Sequence, residues 1–328
     1  MKILVIRFSS LGDLVTLEPV FRSLRHFFVD AQIDFLTTST GQQLYGDSGY
    51  FDRCVLQKGV LGSVRELGSG YDIVLNLQCN KPSHFIVLLL KKKLVVNKSY
   101  NLWQKIFGVR VHSKDNRELL DAMRVPSVSL DGYFSDEQNN IIHLPAPEPS
   151  LPAAWQDKPT VMISTGSSAR WPSKQWGVQR YSQLIGRLLQ HNLQVVLLGS
   201  DLEAADAATI AQQNPGVINL VDQAGLAQLK ALLSRASLYI GNDSGPAHIA
   251  AAVGANTITI FGSTDERHCV KNMAYAGEHR CLKPDASITC HPCYLTQCPT
   301  QHECMQSITV DRVYTTAMQM LGKQHAAA

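Results

Sequence analysis

The chain has 328 residues, is 45% hydrophobic and 17% charged, and carries a net charge of +3. This ordinary globular balance allows two domains with real cores, singles out no partner by charge and calls for no nucleic acid. No apolar run reaches the roughly 20 residues of a membrane span, and Met1–Arg7 reads straight into a strand rather than a signal peptide, so a cytoplasmic location is expected.

Short β-rich runs alternate with helical patterns through the first half. Strands are expected at Lys2–Arg7, Gln32–Thr37, Asp52–Leu56, Tyr71–Leu77 and Leu94–Asn97, with helices at Thr16–Phe28, Val60–Leu67 and Pro82–Leu90. Thr16 is the expected cap of the first helix, with Pro19 in its first turn. Alternation with nearly all-apolar strands means a parallel sheet covered on both faces. The Pro-rich run Leu144–Pro152 holds neither helix nor central strand and is read as a boundary, dividing the chain into domains 1–150 and 151–328. The alternation then restarts. Strands are expected at Thr160–Ser164, Gln194–Leu198, Val217–Leu220, Leu238–Gly241 and Thr257–Phe261. Helices are expected at Val178–Gln190, Glu203–Gln213, Leu226–Ser234 and Pro246–Val253, and a last helix at Val310–Leu321 closes the chain. Two such α/β domains suggest a cleft, with ligands beyond the carboxyl ends of the strands.

Candidate sites fall at such ends. Gly241-Asn242-Asp243-Ser244-Gly245-Pro246-Ala247-His248 joins a strand to a small-residue helix. Asp243 or Ser244 can cap that helix, Pro246 suits its first turn, and the exposed N–H groups suit a phosphate. His248 can reach the same ligand or be a satisfied core histidine. The loop Ser164–Pro172 offers Thr165, Gly166, Ser167 and Ser168 for close backbone approach and Arg170 for a bidentate phosphate contact; the alternative is a surface loop lidded by Trp171. After another strand, Asp201 or Glu203 can bond the hydroxyls of a nucleotide sugar or simply cap a helix, and Gly262–Asp265 is a weaker case of the same kind. After the first strand, Asp13 in Phe8–Leu14 can act as a general base or merely charge a helix start. Gly12 alone makes no G-x-G-x-x-G dinucleotide fingerprint.

These residues carry a resemblance. Lys2–Thr37 with Gly12-Asp13, the Trp171-Pro172 loop, and Asn242–His248 with Phe261–Asp265 resemble glycosyltransferase family nine, the ADP-heptose:lipopolysaccharide heptosyltransferases. The resemblance implies a GT-B fold of two Rossmann-like domains around the active site, with inverting, metal-independent chemistry. The acceptor then belongs to the N-terminal domain and the nucleotide-sugar, ADP-heptose, to the C-terminal one. It further implies Asp13 as the base, Asp243, Ser244, Gly245 and His248 on the sugar diphosphate, and Asp201 or Glu203 on the ribose. A lysine that the family often carries two residues before a Trp-Pro pair is here Ala169, which puts the donor in doubt although Arg170 is adjacent. The expected acceptor is a lipid-linked lipopolysaccharide core sugar. Rivals are a family member acting on an autotransporter protein and a sugar-nucleotide binding protein without turnover; an epimerase lacks its fingerprint and its Tyr-x-x-x-Lys pair.

Of eight cysteines, Cys54, Cys79 and Cys269 look incidental, while Cys281, Cys290, Cys293, Cys298 and Cys304 crowd the C-terminal region. A reducing compartment argues against disulfides among them. Cys290-His291-Pro292-Cys293 has the spacing of a metal half-site, and Cys298 and Cys304 can complete it for zinc or iron; the alternative is four reduced thiols packing a small subdomain. Many family members share a similar motif, and in a related group of protein heptosyltransferases it binds iron and supports assembly; because catalysis in the family needs no metal, any metal here is expected to be structural. Finally, Lys81–Lys114 includes Lys91, Lys92, Lys93, Lys98, Lys105 and Arg110 without an acidic residue, interleaved with Leu102, Trp103, Ile106 and Phe107. This segment reads as a peripheral contact to anionic membrane or as a solvated face.

Overall fold

A computed structural model describes residues 1–68, 70–97, 109–110, 116–266 and 274–327. The chain forms two compact units, Met1–Ile142 and His143–Ala328. The Pro-rich segment falls inside the second unit, past the division. Leu144 is buried and its N–H donates to Ala252 O at 2.8 Å, and Glu148 pairs with Arg235 at 2.6 Å. Proline here stiffens an extended strap rather than marking the point where contacts cease.

The first unit runs β1 (Lys2–Ile6), α1 (Leu11–Val15), α2 (Glu18–Phe27), β2 (Gln32–Thr37), α3 (Ser39–Tyr45), β3 (Arg53–Leu56), α4 (Gly59–Leu67), β4 (Tyr71–Asn76), α5 (Lys81–Leu89), β5 (Lys92–Asn97), β6 (Val109–Arg110), α6 (Asn116–Ala122) and α7 (Ser127–Phe134). Its sheet has the order β3-β2-β1-β4-β5-β6, every pair parallel. Ile3, Leu4, Val5 and Ile6 are all fully buried, as a strand covered on both faces requires. The single helix expected over Thr16–Phe28 is two. Pro19 cannot donate to the carbonyl four residues back, so the chain restarts with Leu17 as N-cap and Pro19 in the first turn, while Thr16 closes α1 through its N–H to Gly12 O. At the edge of the sheet where the strands begin, Asp34 is fully buried. It accepts from Tyr71 Oη at 2.7 Å and Arg53 Nη2 at 2.8 Å, with Lys2 Nζ at 3.8 Å. A buried carboxylate needs such a set of donors to offset its lost hydration.

The second unit repeats the plan: β7 (Thr160–Ser164), α8 (Val178–Leu188), β8 (Gln194–Leu197), α9 (Ala204–Gln213), β9 (Ile218–Asn219), α10 (Leu226–Leu233), β10 (Leu238–Asn242), α11 (Gly245–Ala252), β11 (Thr257–Ile260), β12 (His279–Leu282), α12 (Glu303–Gln306) and α13 (Val310–Ala327). The order β9-β8-β7-β10-β11-β12 is again all parallel. Tyr181, Leu184, Ile185 and Leu188 of α8 share one core with Val313, Ala317 and Met320 of the closing helix and with Val161, Ile163 and Ile240 of the strands. Both sheets thus have the 3-2-1-4-5-6 order of a doubly wound fold, whose ligands sit beyond the carboxyl ends of the central strands. Those ends carry the residues singled out above.

Candidate active site

In the first unit the loop after β1 is tethered to the loop after β4. Phe8 and Ser9 donate their N–H groups to Gln78 Oε1 at 2.9 and 3.3 Å. Ser10 caps α1 and Asp13 is its third residue, so the two form a reciprocal cap: Ser10 N–H and Oγ donate to Asp13 Oδ2 at 3.2 and 2.9 Å. Arg7 was not anticipated. Its guanidinium is buried, donates to Leu77 O at 2.7 Å and stands 2.7 Å from Asp13 Oδ2. A fixed cation therefore orients a carboxylate that remains 51% exposed. Asp13 is thus a helix-start residue whose carboxylate remains accessible.

In the second unit Asn242 ends β10 fully buried. Its Oδ1 accepts from Trp176 N–H at 3.1 Å and Tyr181 Oη at 3.0 Å, and its Nδ2 donates to Thr165 O at 2.7 Å and Gly166 O at 3.0 Å. One amide thus knits the loop after β7 to the start of α8. Next to it, Asp243 is 7% exposed and accepts from Lys174 Nζ at 2.6 Å and Thr264 Oγ1 at 2.8 Å, with His248 Nε2 at 4.0 Å. Burial pushes its carboxyl up, but the Lys174 charge and these hydrogen bonds prevail and hold it below the usual carboxylate range. Asp243 therefore does not cap α11; Ser244 occupies the cap position, without a side-chain capping bond, and Gly245 opens the helix. The N–H groups of that tip keep the anion-binding character of a helix start, and Lys174, its side chain 17% exposed, stands beside them. His248 faces Tyr275 Oη at 3.5 Å, with His279 behind. Burial and the His248 charge push the His279 ring down to about 4, so it is neutral near pH 7 and bonds Thr257.

Lys174 was not singled out by the sequence reading. Anchored on Trp171-Pro172, the expected lysine was missing at residue 169; yet Lys174 stands two residues before Trp176, the fully buried tryptophan. The signal was in the sequence, on the second of two tryptophans. Thr165 and Ser167 are buried in the loop, Ser167 Oγ donating to Trp171 O at 2.8 Å, while Ser168 and Arg170 are exposed. Of the two acidic candidates after β8, Asp201 is exposed. Glu203 is buried, accepts from Ser200 N–H and Oγ at 2.8 and 2.9 Å, and lies so close under Gly166 that a Cβ there would stand 2.0 Å from its Oε1.

Cys290, Cys293, Cys298 and Cys304 line one cavity with His302. Burial, offset in part by the Met305 N–H, and the three neighbouring thiols push the Cys304 thiol up. Among the described residues, however, no three His, Cys, Asp or Glu side chains are gathered as a metal-holding group. The segment is docked on the site: Tyr294 N–H donates to Ser263 O at 2.8 Å, Ser173 N–H to Thr296 O at 3.2 Å, and Ser173 Oγ to Ser263 Oγ at 3.0 Å. Ser173 and Ser263 immediately precede Lys174 and Thr264. Of the basic segment, Lys98, Lys105, Lys114, Leu102, Trp103, Ile106 and Phe107, like Cys269, lie outside the described residues, as does the side chain of Arg110. Lys93 is paired with Asp72 at 2.7 Å. Among the described residues no helix is long and apolar enough to cross a membrane.

Known proteins give the same picture. The chain is 27% identical over 285 residues to lipopolysaccharide heptosyltransferase 3 of Escherichia coli strain K12, covering 77% of this chain and 80% of that one. A solved family 9 glycosyltransferase from Veillonella parvula DSM 2008 superposes with a TM-score of 0.77 at 17% identity, over 98% of this chain and 97% of the other. The ADP-heptose lipopolysaccharide heptosyltransferase II of E. coli does so at 0.73 and 19% identity, over 99% and 100%. These likenesses agree with the GT-B fold expected from the sequence. The family model for glycosyltransferase family 9 (heptosyltransferase) matches residues 61–303, and the chain belongs to that family.

Proposed function

We propose that this glycosyltransferase moves heptose from ADP-heptose to a sugar of the lipopolysaccharide core, with inversion and without a catalytic metal. The observation that carries the reading is the Lys174–Asp243–Thr264 cluster at the tip of α11. An ionised carboxylate has no proton to give a diphosphate. Asp243 instead acts as a positioning residue, aiming Lys174 at the space where the helix N–H groups point. Ser244, Gly245, His248 and exposed Arg170 complete the diphosphate site, with Thr165, Ser167 and Ser168 framing it and exposed Asp201 taking the ribose. Asp13 removes the acceptor hydroxyl proton while that oxygen attacks the anomeric carbon from the face opposite ADP. The bond from that carbon to the phosphate oxygen breaks, and ADP leaves with the electron pair. Lys174, Arg170 and the helix tip stabilise the charge that develops on the leaving group, the part a divalent ion would otherwise take.

A thermal-shift series with ADP, UDP and GDP tests the donor. ADP at about a hundredfold excess over its dissociation constant adds about 2.7 kcal/mol of stability, and UDP and GDP add clearly less. Lys174→Met loses one charged hydrogen bond to the ligand, worth about 1.5–3 kcal/mol, so the ADP shift shrinks in that variant and is restored in part by Lys174→Arg. Equal shifts with all three nucleotides, or an undiminished ADP shift in Lys174→Met, contradict the reading.

The thiols of Cys290, Cys293, Cys298 and Cys304 are the donor set that zinc or iron takes; they line one cavity without being gathered as ligands, so a structural ion would have to draw them together. Its work would be to brace the segment against Ser173 and Ser263, and so to steady Lys174 and Thr264. Elemental analysis of the purified protein is expected to find about one zinc or iron per chain, reduced to trace in Cys290→Ser/Cys293→Ser. Trace metal in the unmodified chain leaves these cysteines as reduced packing groups.

A further inference from the structure

Helix α5, Lys81–Leu89, is apolar on every side over its second half, Phe85–Leu89. Ser83, Ile86 and Val87 turn inward, and Ile86, Val87 and the following Leu90 pack with Leu4, Ile6 and Val74 of the sheet. Its other side is equally apolar and bare: Phe85 is 57% exposed, Leu88 49% and Leu89 51%. These three stand at i, i+3 and i+4 and so form one patch. Helix α4 packs alongside and exposes Leu61. A helical segment apolar on every side belongs in a core or against lipid. The charge around the patch selects between partners. Lys81 lies one turn before Phe85, Lys91 is exposed just past the helix, and Lys92 Nζ donates to Leu88 O at 3.2 Å. From residue 73 to residue 114 the sequence has no Asp or Glu. Apolar side chains ringed by lysines complement a surface that is anionic outside and hydrocarbon within. Asn80 caps α5 two residues after Gln78, the side chain that holds the Asp13 loop. Helix α5 thus starts at the edge of the sheet that carries Asp13, and its apolar patch extends from there toward the opposite edge, where Lys91 O accepts from Tyr71 N–H at 3.1 Å.

We infer that the outer face of α5 docks on an anionic bilayer, with Phe85, Leu88 and Leu89 entering the interface and Lys81 and Lys91 on the lipid headgroups. This rests on the reading that the acceptor is lipid-linked: docking there holds the unit that bears Asp13 at the membrane in which such an acceptor is anchored. The test is sedimentation of the full chain with vesicles of phosphatidylethanolamine and phosphatidylglycerol, against vesicles of phosphatidylcholine alone, at low salt. Retention is expected on the anionic vesicles only. Phe85→Ser/Leu88→Ser/Leu89→Ser and, separately, Lys81→Glu/Lys91→Glu each weaken it roughly tenfold, with the ADP-induced thermal shift unchanged. Three results overturn the inference: no retention on anionic vesicles, retention indifferent to both variants, or light scattering that shows a dimer dissolved by the triple serine variant. Failure here, with ADP selectivity and turnover intact, removes only the docking face. Vesicle retention without turnover removes only the transferase reading.

Discussion

Asp13→Asn is expected to cut turnover by about 10²–10⁴-fold, the usual worth of a positioned general base, while leaving the ADP-induced thermal shift in place. Asparagine is the informative substitution. Its Oδ1 can still accept from Ser10 and Arg7, so α1 keeps its cap and the loop its shape. Alanine also removes the partner of the Ser10 cap, which costs some stability in its own right. Both variants should therefore lose turnover alike, with only alanine losing melting temperature. ADP binding is expected to survive because the residues proposed for the diphosphate all belong to the second unit. A rate retained in Asp13→Asn removes Asp13 from the mechanism, and an unmodified chain that binds ADP without transferring heptose would mark it as a binding protein.

Asn242→Ala is the second large effect, this time on stability. The truncation strands four buried groups at once: Trp176 N–H, Tyr181 Oη, Thr165 O and Gly166 O. Each unsatisfied group costs about 1–3 kcal/mol. Because the loop can relax, a net loss of about 4 kcal/mol is the reasonable sum. In calorimetry the transition of the second unit falls by roughly 10 °C. Donor affinity falls with it, since Trp176 fixes the backbone two residues after Lys174. An unchanged melting temperature would mean that water or a shifted loop replaces the amide.

The sheets were legible because burial on both faces writes a strand as an unbroken apolar run, as in Ile3–Ile6 and Leu238–Ile240. Short or capped elements were harder. Helix α1 has five residues with Gly12 inside, and its mark is the Ser10…Asp13 cap pair rather than any periodicity. The strand His279–Leu282 reads His-Arg-Cys-Leu, just ahead of the cysteine-rich region, and shows no apolar run or alternation. Asp13, Ser244 and Gly245 were legible from turn chemistry. Their partners were not, because Arg7 with Leu77 and Lys174 with Asp243 meet across 70 and 69 residues. Sequence spacing carries no such distance. It also could not show that Asn242, read as a mere lead-in to Asp243, holds four groups, or that Glu203 is sealed beneath Gly166 while Asp201 is open.

The Asp34, Arg53, Tyr71 and Lys2 knot lies at the starting edge of the first sheet, and the loops bearing Asp13 and Gln78 lie at the finishing edge. Robustness and chemistry are thereby housed at opposite rims of one scaffold. The finishing-edge loops can therefore be lengthened, shortened or rewritten without disturbing the buried anchor at the other rim.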